Sequence, residues 1–227
     1  MLPARASCGV SGPITPHLQE FNFLTPGEQA ELLAWTLANE ARFAPAALAD
    51  RIVDTSVRNA LTLRDLGPLR GRFEAGIAEA TPGWIAALRL TPFETSDIEL
   101  ELAAHNDGGR FVLHSDTYLT AQKARGDRML SAAYYFHREP KAFEGGRLRL
   151  HRLGAASGDA GVDVPPDQNS LVIFPSWGPH EVLPITCPSR AFADSRFSVN
   201  CWVRRARVEP IPLRTNHSKR IRRALNQ

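Results

Sequence analysis

Cysteine is scarce in this chain: Cys8, Cys187 and Cys201 are the only three, and no CxxC spacing occurs. That rules out a thiolate metal site and fits a reducing compartment, so a cytoplasmic protein is expected. Long apolar runs are missing too. Nothing approaches the roughly 18 consecutive apolar residues of a membrane-spanning helix, so no membrane contact is expected. The opening Met1-Leu2-Pro3-Ala4-Arg5 lacks the apolar core of a signal peptide. Charge of one sign is in short supply, since the formal net charge is only +3. The chain as a whole is therefore no polyelectrolyte, and no internal repeat marks it as a solenoid.

What is present fits one globular domain: 43% hydrophobic and 22% charged residues over 227 positions. Residues 1–20, with Pro, Gly and Ser concentrated in 1–16, read as a flexible lead-in. Residues 21–208 read as a single domain, and 209–227 as a basic tail. Much of the positive excess lies late, in Arg204, Arg205, Arg207, Arg214, Lys219, Arg220, Arg222 and Arg223. Such a run can touch nucleic acid, but a solvated terminus is the simpler expectation.

Two helices are expected early. Thr25-Pro26-Gly27-Glu28 has the form of a capping box with proline at the first helical position, and Leu32, Leu33, Trp35 and Leu37 follow in helical pattern to about Glu40. Leu66, Leu69, Phe73 and Ile77 predict a second helix from about Gly67 to Ala80, stopped by Thr81-Pro82-Gly83. From about residue 97 the period shortens to two, as in Asp97-Ile98-Glu99-Leu100-Glu101-Leu102. Turn signals recur at Asn106-Asp107-Gly108-Gly109, Gly145-Gly146, Pro165-Pro166-Asp167 and Trp177-Gly178-Pro179. Helices followed by many short strands predict an α+β chain whose second part is a sandwich or barrel.

His114-Ser115-Asp116 places an imidazole and a carboxylate on the same face of a strand. His180 follows another strand-like run, Ser170-Leu171-Val172-Ile173-Phe174. Two histidines and one carboxylate leave open positions on an ion, as in non-haem Fe(II) oxygenases. Alone, each is weak: His-x-Asp triplets are common, and a lone His180 reads equally as a loop residue. Arg196-Phe197-Ser198-Val199-Asn200-Cys201-Trp202-Val203 alternates, with Arg196, Ser198, Asn200 and Trp202 sharing one face. A guanidinium beside a hydroxyl suits a distal carboxylate. The alternative is an edge arginine paired with Asp194.

Several linked runs together resemble a known family. They are Arg128-Met129-Leu130-Ser131-Ala132-Ala133-Tyr134-Tyr135-Phe136-His137, Phe143-Glu144-Gly145-Gly146-Arg147-Leu148-Arg149-Leu150, Val164-Pro165-Pro166, Leu171-Val172-Ile173-Phe174-Pro175-Ser176, His180-Glu181-Val182 and Ser195-Arg196-Phe197-Ser198. Their order resembles the prolyl 4-hydroxylase-like branch of the Fe(II)/2-oxoglutarate dioxygenases, most clearly over about 97–205. The resemblance implies a double-stranded β-helix (jelly roll) braced by N-terminal helices. It implies His114, Asp116 and His180 as iron ligands, and Arg196 holding the far carboxylate of 2-oxoglutarate with Ser198 near it. Tyr135 matches a tyrosine that also reaches this carboxylate, with a plain core role as the alternative. Gly145-Gly146 is the tight bend where a side chain would obstruct. The resemblance also implies O2 as the oxidant and succinate and CO2 as the co-products, and it leaves room for ascorbate as a reductant.

Two departures stand out. The family places its arginine nearer the second histidine, where this chain has Arg190; the alternating strand favours Arg196. His105 stands in place of a tyrosine in the loop before His114, a change that bears on the pocket or the substrate, with a plain loop histidine as the simpler expectation. A prolyl residue in a protein or peptide is the expected substrate. A free amino acid or small metabolite, nucleic-acid demethylation, a silent jelly-roll binding module, and a zinc or manganese site are the alternatives. Substrate choice is expected to rest on loops near 45–60 and 117–127, with Arg58, Lys123, Arg125 and Arg128 as either entrance or solvated charges. Oligomeric state leaves no signal in the sequence.

Overall fold

The computed structural model describes residues 13–48, 52–117, 126–155, 159 and 161–206. In chain order the first elements are β1 (Leu18–Phe21), α1 (Pro26–Ala38), β2 (Ala44–Pro45), β3 (Arg58–Asn59), β4 (Leu61–Leu63) and α2 (Arg70–Ala87). Then follow β5 (Thr95–His105), β6 (Arg110–His114), β7 (Asp127–Phe136), β8 (Glu144–Gly145) and β9 (Leu148–Leu150). The last are β10 (Val162–Val164), β11 (Ser170–Pro175), β12 (His180–Val182), β13 (Ile185–Thr186) and β14 (Arg196–Arg205).

Among the described residues the strands form a seven-stranded sheet, β1-β11-β7-β14-β5-β4-β2, and a five-stranded sheet, β10-β9-β12-β6-β3. A two-stranded pair, β13-β8, completes it. Every pairing is antiparallel, and the arrangement is a double-stranded β-helix braced by helices.

The period-two pattern decides which residues face what. On β7 and β14, Leu130, Tyr134, Phe136, Phe197, Val199 and Val203 pack outward against the helical residues Leu32, Phe73, Ile77 and Trp84. The opposite parity, including Ala133 and Tyr135, meets Leu148, Leu150, Val172 and Phe174 between the sheets. Both faces of the large sheet are thus buried, and the inner face supplies the walls of a cavity.

The capping box forms as expected: the Glu28 N–H donates to Thr25 Oγ1 at 3.3 Å and the Thr25 N–H to Glu28 Oε2 at 2.8 Å. Leu32 is buried on α1, with Leu33, Trp35 and Leu37 packed partly against the same core. Arg72 ties the helices together, donating to Glu28 Oε1 at 2.8 Å and to the Phe23 carbonyl at 3.0 Å.

Three expectations need correction. α2 does not stop at Thr81-Pro82-Gly83 but continues to Ala87 with Pro82 inside it. Proline in a helix interior costs about 3 kcal/mol. Trp84, Ile85 and Leu88 are all buried beyond it, each worth about 1.5–3 kcal/mol in apolar burial. Tertiary packing therefore wins, helped by Trp84 Nε1 donating to Glu20 Oε1 at 2.6 Å.

The lead-in expected over 1–20 is not loose throughout: β1 pairs with β11, Leu18 opposite Ile173 and Phe21 opposite Ser170. Asn169 fastens it, accepting from the Leu24 N–H at 3.0 Å and donating to the Leu24 carbonyl at 2.8 Å.

Arg204 and Arg205 are not tail charges either. They end β14, Arg204 buried against Glu99 and Arg205 3.6 Å from Asp127. Residues 207–227, which hold the rest of the basic run, lie outside the described residues, as do Lys123 and Arg125.

Candidate metal centre and co-substrate pocket

β6 and β12 pair antiparallel, and the ladder sets His114 directly opposite His180. Directly opposed side chains meet on one face, and the two imidazole centroids are 4.2 Å apart. Asp116 follows β6, its N–H donating to the Ser176 carbonyl at 2.9 Å. Its carboxylate lies 3.7 Å from His114 Nε2 and 3.6 Å from His180 Nε2. One donor atom from each of the three residues falls within 4.8 Å of the others.

The ring protons are placed by the backbone. His114 Nδ1 donates to the Val112 carbonyl at 2.8 Å, and His180 Nδ1 to the Gly178 carbonyl at 2.9 Å. A carbonyl can only accept, so both protons sit on Nδ1 and both Nε2 lone pairs are left for an ion. Phe111 stacks on His114 with centroids 3.6 Å apart, and Phe174 meets His180 edge-on at 4.7 Å. Ser131 Oγ donates to Asp116 Oδ2 at 2.6 Å and fixes the carboxylate.

Burial, then the His180 charge, pulls His114 down to about 3. Burial alone would raise Asp116, but His180, His114 and Arg128 hold it at about 2. A neutral His114 beside an ionised Asp116 is the form that binds a divalent cation. The donor set of two nitrogens and one oxygen fits Fe(II), with positions left over.

A cavity of about 490 Å³ runs past this centre and is also lined by Tyr135 and Arg196. Arg196 is 2% exposed. Among the described residues no carboxylate pairs with it. It donates to the Gly146 carbonyl at 3.3 Å and to His105 Nδ1 at 2.9 Å, and its Nε has no partner. Burial lowers its pKa, yet an arginine stays charged. Asp194, the local acid weighed as its partner, is taken instead by Arg138 and by Ser189 Oγ at 2.6 Å.

Arg190, the competing arginine, has a side chain 79% exposed and pairs with Asp107 at 3.1 Å, away from the cavity. The Arg196 guanidinium carbon lies over the Tyr135 ring, 5.1 Å from its centroid, and its charge opposes the rise that burial imposes on the Tyr135 pKa. Ser198 shares this strand face, but its hydroxyl donates to Asn200 Oδ1 at 3.2 Å and Ser198 is not on the cavity wall.

Gly145 and Gly146 do mark a tight bend, with φ of 76° and 67°. A Cβ at Gly146 would lie 2.7 Å from Ile185 Cγ1 and 2.9 Å from Arg196 Cδ. Glycine here is therefore what leaves room for the arginine.

Other residues of the wall were not expected there. Glu101 lines it, and Glu99, two residues earlier on the same strand face, is buried beside it; their alternation suggests a solvent face, yet each is 5% exposed. Arg58 meets Glu101 at 2.6 Å and Arg128 meets Glu99 at 2.9 Å, so neither arginine is a solvated charge. Arg128 also stacks 3.8 Å over the Trp202 ring. His105 is no loop residue but the last residue of β5, buried, and on the cavity wall. Its parity with Glu99 and Glu101 is the signal that places it there.

A jelly roll that holds two histidines and an aspartate around one point, with a buried arginine that meets no acid among the described residues in the same cavity, presents a candidate metal site beside a candidate anion site. The family model described as the 2OG-Fe(II) oxygenase superfamily matches residues 100–204, the segment that carries the His114, Asp116 and His180 cluster and Arg196.

An uncharacterized PKHD-type hydroxylase of Synechocystis is 31% identical over 189 residues, 81% of this chain. The chain spans 61% of that relative's length. Among solved structures, a Pseudomonas putida prolyl-4-hydroxylase is similar, with a TM-score of 0.62 and 24% identity over 84% of this chain and 94% of that one. A Trichoplax adhaerens prolyl hydroxylase, in complex with a hypoxia inducible factor peptide fragment, has a TM-score of 0.59 at 20% identity, covering 83% of each chain. At these identities the structural likeness establishes the fold.

Proposed function

We propose that this chain is a 2-oxoglutarate-dependent dioxygenase that hydroxylates a prolyl residue in a protein or peptide. The observation that carries the co-substrate is Arg196: a buried guanidinium without an acid among the described residues, in one cavity with the His114, Asp116 and His180 triad. A buried cation needs a counter-charge, and the far carboxylate of 2-oxoglutarate supplies it. Bound iron supplies activation of O2, coupled to conversion of 2-oxoglutarate into succinate and CO2 with transfer of one oxygen atom to the substrate C–H bond.

The protein's own residues order the parts. Tyr135 lies four residues from Ser131 on the same strand face, roughly 13 Å at a strand's rise. Ser131 steadies Asp116, so the arginine and the metal centre are spaced for a short dicarboxylate between them. Leu148, Val182 and Phe174 line the wall and keep water from it. Trp202, Arg128 and the Arg58–Glu101 pair form a polar wall that faces the same cavity. Ascorbate fits as the reductant that returns iron to the ferrous state, and a cytoplasmic setting suits both ferrous iron and the free Cys187 and Cys201.

Support for a prolyl substrate comes from the PKHD-type hydroxylase relative and from the two prolyl hydroxylases of similar fold. A membrane setting has no support, since no helix among the described residues is long and apolar enough to cross a membrane. The test is aerobic incubation with Fe(II), 2-oxoglutarate, ascorbate and a set of proline-containing peptides, with free proline alongside. Succinate released in step with a peptide that gains one oxygen atom on proline is the expected result. Turnover with free amino acids alone would move the substrate to a small metabolite.

A further inference from the structure

His105 and Arg196 face each other across the β14–β5 ladder. His105 is 3% exposed, lines the cavity, and its Nε2 has no hydrogen-bond partner among the described residues. Its Nδ1 lies 2.9 Å from the Arg196 guanidinium. A guanidinium only donates, so Nδ1 must accept and the ring proton must sit on Nε2. Burial first, and then the charges of Arg196 and Arg58, hold the imidazole neutral. The arginine thus dictates the tautomer, leaving one buried N–H on the wall with nothing to donate to. A buried donor of this kind is costly unless a ligand completes it.

We propose that His105 is a specificity-determining donor of the anion site, its Nε2–H reading the oxygen atoms of a bound dicarboxylate alongside Arg196 and Tyr135. A neutral histidine suits the position because a second buried cation would repel the guanidinium. Accepting from Arg196 while donating to the ligand also polarises both bonds in the same sense. The inference rests on the 2-oxoglutarate reading above and adds a residue to it.

The test is anaerobic titration of the Fe(II)-loaded full chain with 2-oxoglutarate, read by the visible charge-transfer band of the chelate. Wild type is compared with His105→Phe, His105→Gln and His105→Met. His105→Phe, with no donor, needs about tenfold more 2-oxoglutarate or beyond for half the band, the loss of one hydrogen bond to a charged group. Its Fe(II) affinity stays at the wild-type value. His105→Gln, whose amide both accepts and donates, recovers most of the affinity.

If His105→Phe fails to fold, His105→Met against His105→Gln carries the same comparison. Equal half-saturation in wild type and the donor-free variant overturns the proposal. So does His105→Gln binding as weakly as the donor-free variant. A wild-type protein that binds Fe(II) but gives no band with 2-oxoglutarate sinks the co-substrate reading itself, and the variants are not needed to see it.

Discussion

Glu99 joins three arginines, and replacing it by glutamine isolates what that junction contributes. Arg128 approaches its carboxylate to 2.9 Å, Arg204 Nε to 3.1 Å and Arg64 to 3.6 Å. The Arg128 and Arg204 side chains are each 6% exposed, so water does little to replace the lost charge. Removing one member of a buried ion pair costs about 3–5 kcal/mol, far more than an exposed pair contributes. At about 2–4 °C per kcal/mol for a domain of this size, the melting temperature of Glu99→Gln falls by roughly 6–20 °C.

The pH dependence carries a sign. Burial alone would raise the Glu99 pKa, but Arg128 and Arg204 hold it below its ordinary 4.5. A depressed folded-state pKa contributes stability that is complete above the unfolded value and is lost as pH falls through the folded one. The gap between wild type and Glu99→Gln is therefore full at pH 7 and narrows below about pH 4.5. Urea unfolding of both proteins from pH 7 downwards measures it. A loss under about 1 kcal/mol at pH 7, or a gap that ignores pH, would refute the reasoning.

Three further outcomes are expected. Pro82→Ala restores the helix N–H inside α2 at an exposed position and stabilises by up to about 3 kcal/mol, read as a higher melting temperature; a lower one would show that proline is required there. Gly146→Ala forces alanine into φ 67°, at about 1–2 kcal/mol, and its Cβ presses on Arg196, so both the melting temperature and 2-oxoglutarate affinity fall. Arg190→Ala removes only an exposed pair with Asp107, so stability shifts by less than about 1 kcal/mol and 2-oxoglutarate titrates as in wild type.

The candidate triad was legible from the His114-Ser115-Asp116 spacing, although Asp116 lies just past β6 and is held by its N–H to the Ser176 carbonyl rather than by strand pairing. The choice of Arg196 over Arg190 followed from strand alternation: Arg196 lies in phase with Asn200 and Trp202, all three on the cavity wall. The jelly roll was expected from the family resemblance, but which face of β5 its closure turns inward was not legible from the alternation. In an open sheet Glu99 and Glu101 would face water. In a jelly roll that face is the interior, and arginines distant in sequence neutralise it.

His105 shares the parity of Glu99 and Glu101, but the loop reading preferred for it followed from its place beside Asn106-Asp107-Gly108-Gly109, which turns the chain directly after β5. Helix α2 outlasted its proline because of Trp84, Ile85 and Leu88, whose burial depends on a sheet that local periodicity does not reveal. β1 hid behind Pro and Gly for a similar reason: its pairing with Ser170–Ile173 is specified by a strand far along the chain.

The central claim is that one cavity holds both an iron ion and the dicarboxylate that Arg196 anchors. Anaerobic absorption spectroscopy of the purified protein with Fe(II) and 2-oxoglutarate, beside His114→Ala and Arg196→Met, tests it most directly. The account predicts a weak visible band that needs both additions, is absent in His114→Ala, and requires much more 2-oxoglutarate in Arg196→Met. A folded, iron-loaded wild type with no band, or an Arg196→Met protein that titrates as wild type does, would contradict it.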